Sequence, residues 1–171
     1  MSPQIVESAP RHTLSVLVSH NLNTFSRIIG IFSGKGFEID SISLGPEADP
    51  SQARITLTTR GDEKVIEQIV KLLHNVVDVL KVTDLTHKKS IARELALVKV
   101  VTNPNNRSDV MMMAQAFRSK VVDISGDKLA FEVTGQKDKI DAFIETMKPY
   151  GVTEVARTGS VALKREFQTP D

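Results

Sequence analysis

The feature that most constrains this chain is a change of hydrophobic period within residues 12–45, HTLSVLVSHNLNTFSRIIGIFSGKGFEIDSISLG. Apolar residues first alternate at a period of two, at Leu14, Val16 and Val18, which predicts a half-buried strand. They then recur at helical spacing, at Phe25, Ile28, Ile29 and Phe32, which predicts an amphipathic helix. A second strand is expected after the helix, so the stretch predicts a strand–helix–strand unit.

Both ends of this helix carry local signals. Asn23 or Thr24 is expected to cap the N-terminus, because a short polar side chain can accept hydrogen bonds from the first helical amides. Residues 34–36 read Gly-Lys-Gly, and glycine adopts the left-handed conformation that ends many helices. The connections to the flanking strands are therefore predicted to be short.

The first half continues with elements of the same kinds. A strand is predicted at 53–59 and another at 79–82, on the basis of alternating and β-branched residues. Between them, a helix starting at residues 61–63 carries an apolar stripe at Ile66, Ile69, Val70 and Leu73. The order is strand, helix, strand, strand, helix, strand.

The second half repeats this order. Strands are predicted at 95–101, 121–124, 129–133, 152–156 and 161–163. Ser108 is expected to cap a helix with the apolar face Val110, Met113, Ala114 and Phe117. A last helix carries the same spacing at Ile140, Phe143, Ile144 and Met147.

Four helices with one spacing rule, two in each half at an offset of ~75 to 85 residues, indicate an internal duplication. Each half predicts a split βαβ unit. The predicted fold class is therefore α+β, with two ferredoxin-like βαββαβ domains whose antiparallel sheets carry their helices on one face. The predicted domains are residues 12–86 and 94–166, joined by a polar linker at 87–93.

Alternation also predicts the two faces of the first sheet. Residues expected beneath the helices are Leu14, Val16, Val18, Ile42, Leu44, Ile55 and Leu57. The opposite face carries Ser15, Leu17, Ser41, Ser43, Thr56 and Thr58. Because these side chains are small and uncharged, we expect this face to dock another sheet or chain. The alternative is a solvated face.

Composition narrows the classes of function. The 22 basic and 21 acidic residues leave a net charge of +1, which argues against nucleic acid as a partner. The predicted central strands of the first half also lack the aromatic residues on which RNA bases stack. No apolar run approaches the ~18 residues that span a bilayer, and residues 1–11 lack the apolar core of a signal peptide. We expect a cytoplasmic chain with no membrane partner.

No catalytic or cofactor-binding motif is present. The phosphate-binding patterns GxxxxGK[ST] and GxGxxG and the nucleophile pattern GxSxG are all missing, and there is no cysteine. The four histidines, at positions 12, 20, 74 and 87, show neither HxxxH nor HExxH spacing. We therefore predict no catalytic residues, no metal ligands and no cofactor in this chain.

The junction from His20 to Phe25 is the one candidate for ligand binding. A helix N-terminus at a strand end offers amides and a positive dipole end, which suit the carboxylate of an amino acid. Alternatively, Asn21, Asn23 and Thr24 only cap the helix and shape the turn. The residues by themselves leave both interpretations open.

Long segments of both halves closely resemble one family, the regulatory (small) subunits of acetolactate synthase, also called acetohydroxyacid synthase. In the first half these are HTLSVLV and SRIIGIFSGKGFEIDSISLGPEADPSQARITLTTRGDEKVIEQIVKLLHNVVDVLKVTDL. In the second half they are SIARELALVKV, FRSKVVDIS, FEVTGQKDKIDAFI and GVTEVARTGSVALKRE, in the same order as in the family. The resemblance covers residues 12–166.

The resemblance implies an ACT domain followed by the family's C-terminal domain of related topology. It implies a homodimer, formed through the ACT domain, that stimulates a catalytic (large) subunit and confers feedback inhibition by valine or a related branched-chain amino acid. Thiamine diphosphate, magnesium and FAD would belong to that catalytic partner, which makes acetohydroxy acids from pyruvate and 2-ketobutyrate. The implied effector site lies at the dimer seam and comprises His20, Asn21, Leu22, Asn23, Thr24, Phe25, Glu38 and Ile39.

Two residues depart from the family's pattern. Residues 20–27 read HNLNTFSR where the family resembles N-x-P/S-G-V/A-L-x-R, so Asn23 occupies the glycine position. Glycine allows an effector to approach the backbone closely, whereas Asn23 adds a side chain. Glu38 occupies the asparagine position of GFNIDS-like text, and its carboxylate could repel an effector carboxylate or recruit its ammonium group. We expect valine binding to be weak, altered or lost while stimulation of the catalytic subunit is retained.

The predicted function is thus a non-catalytic regulatory subunit in branched-chain amino acid biosynthesis. An alternative is a free-standing amino-acid-binding ACT module that regulates another enzyme, which would be preferred if the chain stimulated no acetolactate synthase. Turnover of pyruvate by the chain alone would favour an enzyme instead.

Overall fold

The computed structural model describes residues 9–166. Within this range the chain forms two compact units. The first comprises residues 9–91 together with 162–166, and the second comprises residues 92–161. The second stretch of the first unit was predicted from the sequence to belong to the second domain. The predicted linker also differs, because a strand begins at Ser90 inside it.

The first unit has the predicted order of elements. These are β1 (Arg11–Ser19), α1 (Leu22–Lys35), β2 (Ile39–Pro46), β3 (Gln52–Arg60), α2 (Glu63–His74) and β4 (Val79–Asp84). All strand pairs are antiparallel, and the order across the sheet is β2-β3-β1-β4. The fold class predicted for this half, a ferredoxin-like βαββαβ unit, is confirmed.

The second unit repeats the pattern. Its elements are β5 (Ser90–Val101), α3 (Arg107–Ala116), β6 (Lys120–Ile124), β7 (Lys128–Gly135), α4 (Lys137–Met147), a 3₁₀ turn at Lys148–Tyr150, and β8 (Val152–Arg157). The sheet order is β6-β7-β5-β8, which matches the first unit. A final strand, β9 (Val161–Lys164), pairs with β5 and belongs to the first unit from Ala162 onward. The predicted duplication of the βαββαβ fold is confirmed.

The core of the first unit lies between the sheet and the two helices. Its buried members include Leu14, Val16, Val18, Ile28, Phe32, Ile55, Leu57, Ile66, Ile69 and Leu73. The helical stripe of α1 is slightly rotated from the prediction, since Ile31 rather than Ile29 packs against this core. Leu44 was predicted beneath the helices but is 47% exposed, because it lies on the edge strand β2.

Helix α1 is capped by Asn21, one of the three residues that the capping interpretation of this junction named. Asn21, rather than Asn23 or Thr24, is the N-cap, and its side chain accepts a hydrogen bond from the backbone N–H of Asn23 at 2.8 Å. The C-terminus is as predicted, with Gly36 at a φ of 68°. An L residue with a side chain rarely adopts this conformation, so glycine ends the helix.

The core of the second unit has an equivalent composition. It includes Ala96, Val98, Val100, Val110, Leu129, Phe131, Val133, Ile140, Phe143 and Met147. The predicted faces of α3 and α4 are largely buried here, but Met113 is 36% exposed and does not belong to the core. Ser108 does not cap α3, because the helix begins at Arg107 after Asn106. Helix α3 therefore begins two residues earlier than predicted.

The face of the first sheet opposite the helices is covered in part by the chain's own C-terminal segment. Ser15, Thr56 and Thr58 on this face are at most 5% exposed. The backbone N–H of Ala162 donates to Oγ1 of Thr56 at 3.4 Å, and the N–H of Arg165 donates to the carbonyl of Lys89 at 2.8 Å. The predicted docking surface therefore receives residues 162–166 of the same chain.

No helix within residues 9–166 is both long enough and apolar enough to cross a membrane.

Candidate effector cleft

A small cleft lies where β1 ends and α1 begins. Its volume is about 100 Å³, and it is lined by Val18, His20, Asn21, Leu22, Phe25, Leu44, Ala53 and Ile55. Four of these residues, at positions 20, 21, 22 and 25, were predicted effector contacts. The walls are mostly apolar, and Leu22 and Leu44 are exposed at 77% and 47%. The cleft therefore offers an aliphatic surface beside a helix N-terminus.

The polar groups at the cleft already have partners within the chain. The amide of Asn23 donates to Oδ1 of Asn21 at 2.8 Å, and the amide of Thr24 donates to the carbonyl of Asn21 at 3.1 Å. Nδ1 of His20 lies 3.2 Å from the carbonyl oxygen of Pro50, and the His20 amide donates to Ser51. Asn21 therefore caps the helix. A ligand carboxylate would have to compete with this side chain for the Asn23 amide.

Asn23 and Thr24 do not line the cleft. Asn23 is exposed in the first turn of α1, next to the cleft, and its backbone φ is not positive. Replacing the expected glycine therefore adds a side chain without straining the backbone. Thr24 is fully buried on the face of α1 that contacts the sheet, and its hydroxyl has no hydrogen-bond partner among residues 9–166. It is buried on the same helix as the core residues Ile28 and Phe32.

Glu38 and Ile39 lie at the opposite end of the same sheet. Ile39 pairs with Thr59 on β3, and Oγ1 of Thr59 donates to the carbonyl of Glu38 at 2.5 Å. The cleft lies at the other end of β3, where Ala53 pairs with Val18. Six residues along a strand span roughly 20 Å. Within one chain, the structure does not bring these two groups of predicted effector residues together.

A charged cluster stands beside Ile39. Nε of Arg11 donates to Oδ2 of Asp40 at 2.7 Å, and Nε of Arg60 donates to Oδ1 at 3.1 Å. Burial alone would raise the pKa of the Asp40 carboxyl, but the hydrogen bonds from Arg60 and Arg11 outweigh it and hold the pKa below its ordinary value. This end of the sheet therefore keeps a paired carboxylate next to the exposed Glu38.

Half of the cleft was not predicted from the sequence. Val18, Leu44, Ala53 and Ile55 contribute its apolar wall. The register of the sheet explains this, since Val18 pairs with Ala53 on one side of β3 and Leu44 pairs with Ile55 on the other. The alternating pattern marked these residues as apolar strand positions, but it could not say which of them adjoin the helix start.

Comparison with known proteins agrees with the fold of both halves. Residues 14–81 match the family model described as "AHAS small subunit-like ACT domain", and residues 93–166 match "Small subunit of acetolactate synthase". The chain is 41% identical over 167 residues to a probable acetolactate synthase small subunit of Methanothermobacter thermautotrophicus, covering 96% of this chain and 99% of the relative. It is 44% identical over 158 residues to the acetolactate synthase small subunit of Aquifex aeolicus, covering 92% and 82%.

A solved structure extends this similarity to three dimensions. The crystal structure of the acetolactate synthase small subunit from Thermotoga maritima superimposes with a TM-score of 0.85 at 33% identity, covering 93% of this chain and 99% of that one. Two βαββαβ units, the first with a cleft at its helix N-terminus, define a protein of the ACT-domain class. The chain belongs to the family of acetolactate synthase small subunits.

Proposed function

We propose that this chain is a non-catalytic subunit that stimulates the catalytic subunit of acetolactate synthase in branched-chain amino acid biosynthesis. The observation that carries the proposal is the nearly full-length similarity to a relative named as a small subunit, at 41% identity over 99% of its length. On this proposal, thiamine diphosphate, magnesium and FAD reside in the catalytic partner, and the small subunit acts by binding to it.

We further propose that two copies associate through the first unit and share the effector site. A cleft of about 100 Å³ is smaller than the ~300 to 1,000 Å³ that usually encloses a small ligand. Leu22 and Leu44 leave its rim apolar and exposed, which favours a second surface closing over it. Glu38 and Ile39 of one copy could then approach the cleft of the other, although roughly 20 Å separates the two regions within one chain.

The proposed effector is a branched-chain amino acid. We expect this chain to bind it more weakly than a chain with glycine at position 23 and asparagine at position 38 would. The aliphatic side chain would lie against Val18, Leu44 and Ile55, which line the cleft. Asn23 adds a side chain next to the cleft, and Glu38 places a carboxylate where the effector's own carboxylate would be repelled. Stimulation of the catalytic subunit does not depend on these two positions.

Stimulation is tested by mixing the purified chain with a cognate catalytic subunit and measuring acetolactate formation. The expected result is a higher rate with the chain than without it, and no acetolactate from the chain alone. Adding valine, leucine or isoleucine in parallel assays measures feedback on the stimulated rate. A chain that binds valine but stimulates no acetolactate synthase would instead be an amino-acid-binding module serving another enzyme.

Effector binding is tested separately by calorimetric titration of valine into three proteins. The unmodified chain is compared with the double variant N23G/E38N and with a control, N105G/E67N, which makes the same replacements at exposed positions outside the cleft. We expect the N23G/E38N chain to bind valine at least about tenfold more tightly than the other two, a gain of about 1.4 kcal/mol. Micromolar binding by the unmodified chain would contradict the proposal.

A further inference from the structure

His12 is a buried histidine whose ring has no hydrogen-bond partner. It lies on β1 opposite Thr59 and is 1% exposed. Neither Nδ1 nor Nε2 forms a hydrogen bond with any of the described residues 9–166. A buried polar group without a partner is unfavourable and uncommon in folded proteins. A bound species outside the protein could therefore supply the missing partner of the ring.

Two further ligand-bearing side chains stand beside this ring. Glu63 is the first residue of α2, and His87 lies in the turn between β4 and β5. Nε2 of His87 is 3.2 Å from Oε1 of Glu63, and the ring centres of His12 and His87 are 6.1 Å apart. One potential ligand atom from each of the three residues lies within 4.8 Å of the others. Three elements of the first unit thus converge on one point.

One of the three side chains is buried and the other two are exposed. The side chains of His87 and Glu63 are 73% and 70% exposed, whereas His12 is fixed in the core. Ligand atoms around a tetrahedral Zn²⁺ are roughly 3.4 Å apart, given bonds of about 2.0 to 2.1 Å. The ligand atoms already lie within 4.8 Å of one another, and the two exposed side chains have the rotamer freedom to reach this spacing around the buried His12.

Asp84 lies near Nδ1 of His12. Its Oδ2 is 3.9 Å from Nδ1 of His12, while its Oδ1 accepts hydrogen bonds from the backbone N–H and the hydroxyl of Thr86 at 2.8 and 2.5 Å. Metal-binding histidines commonly direct their second ring nitrogen toward a carboxylate, which selects the tautomer that leaves the other nitrogen free. The position of Asp84 suits this role, with Nε2 of His12 left for a metal.

We propose that His12, Glu63 and His87 bind one Zn²⁺ ion per chain. Two imidazoles and one carboxylate form a ligand set that zinc accepts, with a water molecule in the fourth position. Mg²⁺ and Ca²⁺ prefer oxygen ligands, so they fit poorly. Bound zinc would connect the start of β1, the N-terminus of α2 and the turn that leads into β5. The sequence predicted no metal ligands, because these residues lie far apart in the chain, at positions 12, 63 and 87.

The test uses the full chain, purified without an affinity tag and freed of metal with EDTA. Calorimetric titration with ZnCl₂ is expected to show one site per chain, and CoCl₂ is expected to give the visible absorption of four-coordinate cobalt. Saturating zinc should raise Tm by about 5 to 10 °C at a hundredfold excess over Kd. No saturable zinc site in the unmodified chain would overturn the proposal.

Variants locate the site. His87→Ala changes an exposed residue, so it should fold normally by circular dichroism yet bind zinc more than about 100-fold more weakly. Asp84→Asn should weaken binding by about 10- to 100-fold. His74→Ala is the matched control, because this exposed histidine ends α2 away from the cluster, and its affinity should stay within about twofold of the unmodified chain. Equal zinc affinity of the His87→Ala and His74→Ala chains would also overturn the proposal.

Discussion

The backbone N–H of Ala162 donates to Oγ1 of Thr56 at 3.4 Å, across 106 positions of sequence. This contact places the C-terminal segment on the sheet face of the first unit that its helices leave uncovered. Ala162 is 4% exposed, and Thr56 is 3% exposed. The segment thus removes part of the polar face from solvent and ties the end of the described chain to its beginning.

Ala162→Asp should destabilise the first unit, because it would place a carboxylate where the methyl side chain is buried. The expected loss is about 3 kcal/mol, measured as a lower Tm and urea midpoint. Val161→Asp is the matched control, since the neighbouring side chain is 50% exposed, and it should stay within about 0.5 kcal/mol of the unmodified chain. Equal destabilisation by both variants would show that Ala162 is not covered in solution.

The buried Glu94 should make Arg157 important for the stability of the second unit. Glu94 is 4% exposed, and it accepts hydrogen bonds from Arg157 at 2.6 Å and from the hydroxyl of Ser160 at 3.0 Å. Burial alone would lower the pKa of Arg157, but hydrogen bonds to Glu94 and Asp141 raise it. Arg157→Ala leaves the buried carboxylate without its cation, so we expect a loss of about 3 kcal/mol in denaturant unfolding.

An exposed ion pair of the same sheet provides the control for this prediction. Lys99 donates to Glu154 at 2.8 Å, and the side chain of Glu154 is 67% exposed. Lys99→Ala should cost at most about 1 kcal/mol, because solvent screens such a pair. A loss for Lys99→Ala as large as that for Arg157→Ala would contradict the distinction based on burial.

The carboxyl of Asp40 should contribute stability that depends on pH. Its pKa is lower in the folded chain, because hydrogen bonds from Arg60 and Arg11 outweigh the effect of burial. Because the pKa is lower in the folded chain, the ionised carboxyl stabilises the fold at pH values above the pKa of the unfolded chain, which is about 3.9 for Asp. This contribution is lost as the pH falls through the pKa of the folded chain. Asp40→Asn should therefore lower the urea midpoint at pH 7, and the difference should shrink below about pH 4.

Asp123→Asn is the control for the pH dependence, since Asp123 is exposed on β6 and forms no ion pair with the other described residues. Its midpoint should follow that of the unmodified chain at each pH. The Asp40 effect at pH 7 is expected to be at most about 1 kcal/mol, as for a solvent-accessible pair. If the difference in urea midpoint between the Asp40→Asn chain and the unmodified chain widens on acidification, the pKa of Asp40 is not lowered in the folded chain.

Two equivalent glycines, one before α2 and one before α4, should differ in their tolerance of alanine. A Cβ on Gly61 would lie 2.6 Å from Cγ1 and 2.9 Å from Cβ of Val65. A Cβ on Gly135 would lie 2.6 Å from Cδ of Lys139 but 3.3 Å from its Cβ. Because a branched valine cannot move aside as a lysine chain can, Gly61→Ala should cost about 1 to 3 kcal/mol. Gly135→Ala should cost less than about 1 kcal/mol, and thermal unfolding of the two variants measures the difference.

The periodicity of the sequence predicted the fold well, for a physical reason. The apolar stripes of α2 and α4 are buried where spacing placed them, at Ile66, Ile69 and Leu73 and at Ile140, Phe143 and Met147. A helix or strand that must bury one face repeats its apolar residues at its own geometric period. Such local signals are present in the sequence before any tertiary contact forms.

Local choices among neighbouring residues were predicted less well. Asn21 caps α1 although Asn23 and Thr24 carry equally suitable side chains, and Met113 is partly exposed although it has the right spacing. Each of these outcomes depends on where the preceding strand ends and on how the helix is rotated about its axis against the sheet. The types of the neighbouring residues do not determine the strand end or the helix rotation.

The sequence by itself determined the two βαββαβ units, the start of α2 at Glu63 and the cap that ends α1 at Gly36. Each of these depends on residues within a few positions of one another. Only the tertiary structure decided that Leu44 and Ile55 adjoin the start of α1, that residues 162–166 cover the first sheet, and that Glu63 and His87 meet at the buried His12. These relationships join residues far apart in the chain, and their distances are set by strand register and helix packing, which a one-dimensional pattern does not contain.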